Sequence, residues 1–199
     1  MRVVVLCEGS TEKALRQGLR EFVQDGAPRR DRLGIDTRSL EGPLMRRKLG
    51  RIVELNLAKA DVAGVVALTD VYPGFQNAND ARERLRQFAG DAGEHANFRA
   101  HAAQYEVEAW LLPFWDEIAK HVGVSAKSPG GQPEAINNQR PPSHHLNDLY
   151  KRAKQRYEKV IDGAKWLTAE RLAEAAKACP ELKSFLNSLL EFAGAEALP

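Results

Sequence analysis

Acids recur in this chain where buried apolar runs stop. The segment MRVVVLCEGSTEKALRQGL sets Glu8 and Glu12 four residues apart, directly after a β-branched run and with only small residues between them. VAGVVALTD ends on Asp70, and YEVEAWLL carries Glu106 and Glu108 after a further apolar stretch. Carboxylates in small number are what hard divalent cations such as Mg²⁺ accept, with water and phosphate oxygens completing an octahedral shell. A cation held in this way polarises a phosphoryl oxygen, lowers the pKa of an attacking water and stabilises a leaving alkoxide. The chemistry these acids point to is metal-assisted cleavage of a phosphodiester.

Each acid also has a structural reading. Ser10 or Thr11 could cap a helix, with Glu12 complementing its dipole. Asp70 precedes a Pro-Gly turn and could belong to it, and Glu106 or Glu108 could simply open a helix. Joint placement favours the metal site, because ligands of parallel α/β sheets collect at the carboxyl ends of strands. Two further groups are candidates. Lys159, in YEKVIDG, is either the cation that neutralises a pentavalent phosphate transition state or a surface lysine on a basic helix. Of His144 and His145, adjacent on a helix and so pointing apart, at most one can face a site, and His144 is the candidate base.

The elements that must position these groups alternate. Residues 2–7 read as a buried strand, followed after Gly9 by a helix with Ala14, Leu15, Leu19, Phe22 and Val23 on one side. A weaker extended segment spans residues 33–40, and Leu44, Leu49, Ile52, Val53 and Leu57 mark a second helix. Residues 62–69 are a second clear buried strand, 80–89 a third helix and 98–105 a fourth strand. This alternation predicts an α/β fold with a mostly parallel sheet and flanking helices. Residues 127–143 are dense in Pro, Gly, Asn and Ser and read as a long loop, functional or mobile. Beyond it the chain reads as helical, with Thr168 as an N-cap and Pro180 starting a last helix. Trp110, Leu111, Leu112, Phe114 and Trp115 have the apolar spacing of a core cluster rather than a base-stacking platform.

Composition narrows the function classes. A chain of 199 residues with formal net charge +2 can bury one sizeable core but does not advertise a nucleic-acid partner by its overall charge. Basic residues cluster locally instead, at Arg29, Arg30 and Arg32, at Arg46, Arg47, Lys48 and Arg51, and from Lys151 to Lys159. Such runs are solvated helix faces or surfaces that track a phosphate backbone. Cys7 and Cys179 lie far apart without metal-site spacing, which fits a reducing cytoplasm. The reading includes no membrane span and no signal peptide. Nucleotide-binding GxxxxGK[ST] and GxGxxG loops and a GxSxG serine elbow are all missing. ATP-driven work would therefore fall to a partner.

CEGSTE, LTDVYPGF and YEVEAWLL together resemble the TOPRIM-like nucleases. More closely they resemble a bacterial domain-of-unknown-function family often encoded beside AAA-type ATPases in phage-defence settings. The resemblance continues through PPSHHLNDLY, YEKVIDG and CPELKSFLNSL. It implies a TOPRIM-like, Rossmann-like domain over residues 1–123, with a loop and helical C-terminal extension over 124–199 packed on it. It also implies Mg²⁺ or Mn²⁺ as cofactor and DNA or RNA as substrate. Glu8 matches the first TOPRIM glutamate, a metal ligand or general acid/base, and Glu12 matches the additional acid of the overcoming-lysogenization-defect-like nucleases. Asp70 matches the first acid of Asp-x-Asp. Tyr72 stands where the second acid belongs, and tyrosine, with a pKa near ~10, is a poor Mg²⁺ ligand. Either Glu106 or Glu108 supplies the missing carboxylate, which is the expected remedy, or the site binds one metal, or it binds none productively. The alternative is an impaired TOPRIM-like subunit serving an ATPase as partner or sensor.

Overall fold

Five consecutive residues of the first strand determine the architecture. The computed structural model describes residues 1–26, 33–40, 42–136 and 140–199. In it, β1 (Arg2–Glu8) has Val3, Val4, Val5, Leu6 and Cys7 all fully buried. Side chains alternate across a strand, so such a run needs cover on both faces. Val3, Val5 and Cys7 pack with α1 (Thr11–Gly26) and the C-terminal helices. Val4 and Leu6 pack with α2 (Gly42–Leu57) and α3 (Ala78–Ala89). Each of these valines and leucines contributes about 1.5–3 kcal/mol on full burial, so the strand is fixed from both sides.

β2 (Gly34–Leu40), β3 (Val62–Asp70) and β4 (Phe98–Ala103) complete a four-stranded sheet of order β2-β1-β3-β4 in which every neighbouring pair is parallel. This is the α/β fold expected, and the weak segment at 33–40 is a full edge strand. The chain leaves β1 for one side of the sheet and then crosses to β3 on the other. The connections diverge at that switch, and a crevice opens outside the carboxyl ends of β1 and β3. Their register, with Cys7 opposite Leu68, brings Glu8 level with Thr69 and next to Asp70.

After β4 a 3-10 segment, Val107–Phe114, buries Trp110, Leu111, Leu112 and Phe114, so the aromatic cluster is core. Among the described residues five helices follow: α4 (Trp115–Val122), α5 (Pro142–Arg152), α6 (Lys159–Trp166), α7 (Ala169–Ala175) and α8 (Pro180–Phe192). α6 and α7 pack on α1, and α8 packs on β4. The approach to α1 is close: a Cβ on Gly18 would lie 1.9 Å from the carbonyl oxygen of Leu167. Pro180 opens α8 as expected, whereas Thr168, although at the N-cap of α7, makes no side-chain capping bond.

The segment before α5 is not an open loop throughout. Glu134, buried in a short 3-10 turn, accepts hydrogen bonds from Trp110 Nε1 (3.0 Å) and from the α8 backbone at Leu182 (3.2 Å) and Glu181 (2.9 Å). Its carboxylate satisfies N–H groups that the first turn of a helix leaves unpaired. Burial pushes its pKa up, and these donors oppose the shift. The basic knot at Arg29, Arg30 and Arg32 and residues 137–139 of the loop lie outside the described residues. No helix among the described residues is long and apolar enough to cross a membrane.

Candidate functional site

β1 ends on Glu8, and the chain turns at Gly9 with φ +65°, a conformation that a side chain would strain. The Gly9 carbonyl accepts a hydrogen bond from Ser39 Oγ at the end of β2, which ties the turn down. Among the described residues neither Ser10 nor Thr11 caps α1 through its side chain. The small residues of CEGSTE serve the turn. Glu8 itself is held from β3, where Thr69 Oγ1 donates a short hydrogen bond to its Oε2.

Asp70 closes β3 and is fixed at both oxygens. Oδ1 accepts from the Val107 backbone N–H at 2.9 Å, and Oδ2 accepts from Lys159 Nζ at 3.2 Å. The backbone that supplies this donor bends sharply at Tyr105, which has φ +64°. Lys159 is the first residue of α6, and its ammonium also lies 3.2 Å from Glu108 Oε2, an ion pair without hydrogen-bond alignment. The lysine therefore sits between two acids from different segments.

Burial sets the electrostatics. Glu108 is 4% exposed. Desolvation pushes its pKa up to about 7, with Lys159 opposing and Asp70 and Glu106 reinforcing the shift. Burial disfavours the charge on Lys159, but Asp70 and Glu108 outweigh it and hold the ammonium above the usual lysine range. A cleft of about 430 Å³ opens here, lined by Glu8, Ser10, Thr69, Asp70 and Lys159 together with Tyr72 and Arg46 of α2.

The acids expected to converge do so only in part. Glu8, Asp70 and Lys159 line one cleft. Glu106 is engaged elsewhere, accepting from the Ser143 backbone N–H at 2.9 Å and from Ser143 Oγ at 3.1 Å, so it caps the start of α5. Glu108, although it shares Lys159 with Asp70, is almost completely buried and does not line the cleft. Neither is therefore an open replacement for the second acid of Asp-x-Asp. The side chain of Glu12 lies outside the described residues. His144 is exposed on α5, and the imidazole turned inward is that of His145, whose Nε2 has no partner. Sequence reasoning missed Thr69 and Ser143, whose hydroxyls hold Glu8 and Glu106. A hydroxyl residue preceding a strand-end acid was the only available signal for Thr69.

The sequence profile of DUF4276, a domain of unknown function, matches residues 7–190. The chain belongs to the DUF4276 family. No curated protein matches it. The DUF4276 chain is similar to the C-terminal region of the Xanthomonas campestris pv. campestris OLD protein, at 13% identity and a TM-score of 0.41, over 96% of this chain and 93% of that one. A likeness that distant transfers no activity.

The DUF4276 site can be tested against a divalent cation on its own geometry. Among the described residues no group of three His, Cys, Asp or Glu side chains is arranged to hold a metal ion. Two carboxylates with water and phosphate oxygens nevertheless suffice for Mg²⁺. Glu8 uses only Oε2 in its bond to Thr69, and each Asp70 oxygen keeps a lone pair beyond its one donor. The donor set fits one cation and not two.

Proposed function

We propose that this DUF4276 protein is a divalent-metal-dependent nuclease of TOPRIM type that cleaves nucleic-acid phosphodiesters. The observation that carries the reading is the meeting of Glu8 and Asp70 in one cleft at the β1/β3 switch point, with the Lys159 ammonium on Asp70. Mg²⁺ or Mn²⁺, when bound, supplies Lewis acidity toward the phosphoryl oxygen and a water of lowered pKa. Glu8 and Asp70 are the residues that would hold it. Thr69 orients Glu8, and the Val107 N–H orients Asp70. Lys159 provides fixed positive charge where phosphate charge develops, and Glu108 positions that lysine. Work that needs ATP belongs to a separate AAA-type ATPase, and the setting is phage defence in the cytoplasm, as the family resemblance implies.

A second reading is favoured by two features. Lys159 already neutralises Asp70 and Glu108, and Tyr72 replaces the second acid. An impaired partner or sensor subunit of an ATPase would have this appearance. Calorimetric titration of Mn²⁺ separates the two readings. The nuclease reading expects binding by the wild type that is lost in Glu8→Ala and Asp70→Ala. The subunit reading expects no binding by any of the three folded proteins.

A further inference from the structure

Tyr72 is 50% exposed, whereas Val71 before it is 2% exposed. Among the described residues only Met1, Leu55 and Ile161 are other large apolar side chains left so open. The ring sits on a firmly held turn. The Tyr72 N–H donates to the Tyr105 carbonyl at 2.8 Å, and the Phe75 N–H donates to the Val71 carbonyl at 2.8 Å. An exposed aromatic on fixed backbone at the rim of a cleft costs apolar exposure without packing any core.

The cleft continues beyond this turn. A second hollow of about 580 Å³ shares Arg46, Pro73, Gly74, Phe75 and Phe88 with the first and extends to Arg84 of α3. Arg46 makes no ion pair among the described residues. Arg84 is exposed, and its nearest carboxylate, Asp80 Oδ1, is 3.7 Å away. Asp80 is the acid of this hollow, and its other oxygen is taken by the Gln76 N–H. The surface leading away from Glu8 and Asp70 thus combines an exposed ring with two arginines. Aromatic faces with interleaved cations suit a strand whose bases are unstacked, because every base offers a π-face and every linkage a phosphate. In a duplex those faces are covered by neighbouring bases.

We infer that the substrate is single-stranded nucleic acid, crossing the Tyr72–Phe75 turn with a base stacked on Tyr72 and flanking phosphates on Arg46 and Arg84. The inference rests on the nuclease reading and deepens it by naming the substrate class.

The test is fluorescence anisotropy of a labelled oligothymidylate and of its duplex with oligoadenylate, with the full chain and with Ca²⁺ replacing Mg²⁺ so that the strand stays uncut. The single strand is expected to bind at least about tenfold tighter than the duplex. Tyr72→Ala should weaken it by about fivefold to a hundredfold, and Tyr72→Phe should restore it. Arg46→Glu should weaken it further as salt is lowered, since a phosphate contact becomes a repulsion. No binding, equal affinity for the duplex, an unaffected Tyr72→Ala variant, or competition by thymidine monophosphate as strong as by the oligomer would each overturn the inference. Cleavage is scored separately with Mg²⁺. Tyr72-dependent binding by a wild type that never cuts contradicts the nuclease reading alone, and cutting without Tyr72-dependent binding contradicts the inference alone.

Discussion

Replacing Glu108 by glutamine should change how stability depends on pH, and the structure gives the size of the change. Glu108 is almost completely buried, and its pKa is about 7 in the folded chain against 4.5 as the reference. Between those two values the folded protein holds the proton more tightly than the unfolded chain does. Stability is therefore greatest below the reference value and falls as pH rises through the folded one. At 1.36 kcal/mol per pKa unit, the loss attributable to this one group reaches about 3 kcal/mol. Glu108→Gln keeps the shape and cannot ionise, so its curve lacks this loss. Urea unfolding of both proteins in EDTA, from pH 5 to pH 8, isolates the effect, because every other titrating group is common to both. The expected result is a difference that moves by about 2.5 kcal/mol in favour of Glu108→Gln across that window, because part of the loss has already occurred at pH 5. Parallel curves would refute the reasoning, since they would mean that Glu108 stays ionised throughout and that burial does not control it.

Other expectations follow from the same contacts. Lys159→Met leaves Asp70 and Glu108 facing each other without an ammonium, so cleavage should fall at least about 100-fold. The same variant should lose about 1–3 kcal/mol of stability at pH 8 and less at pH 5, where Glu108 is protonated, as read from unfolding midpoints. Glu106→Ala should cost only about 1 kcal/mol in thermal unfolding and leave Mn²⁺ affinity unchanged, because its carboxylate caps α5. Glu134→Ala strands the Trp110 indole N–H and two α8 backbone donors, and denaturant midpoints should show a loss of about 2–4 kcal/mol. Gly18→Ala drives a Cβ into the Leu167 carbonyl, and the same measurement should show a loss of at least about 2 kcal/mol.

Local pattern carried the strands and most of the helices. Five buried residues in a row at β1, a β-branched run at β3 and Pro180 at the head of α8 are signals that neighbouring residues complete. Strand ends could likewise be marked with Glu8 and Asp70, and the parallel sheet made their approach a reasonable expectation. The strand order that joins them is a tertiary fact, set by which helices cover which face. Lys159 reaches Asp70 across 89 residues, and Ser143 reaches Glu106 across 37. Nothing near Glu106 in the sequence distinguishes a helix cap from a ligand, since both roles use an acid at the end of an extended segment. Glu134 was hidden for the converse reason, because a buried anchor within a Pro- and Gly-rich stretch looks like any loop acid. Tyr72 read as a defect in a motif, and only its half-exposed position beside the cleft gives it another use.

The central claim is that Glu8 and Asp70 hold a cation for phosphodiester cleavage, and an end-labelled single-stranded oligonucleotide tests it most directly. With Mg²⁺ or Mn²⁺ the purified wild type should cut it, EDTA should stop the reaction, and Asp70→Ala, with an unchanged thermal midpoint, should leave it intact. Cutting that persists in Asp70→Ala, or a folded wild type that leaves the strand whole with either metal, would contradict the account.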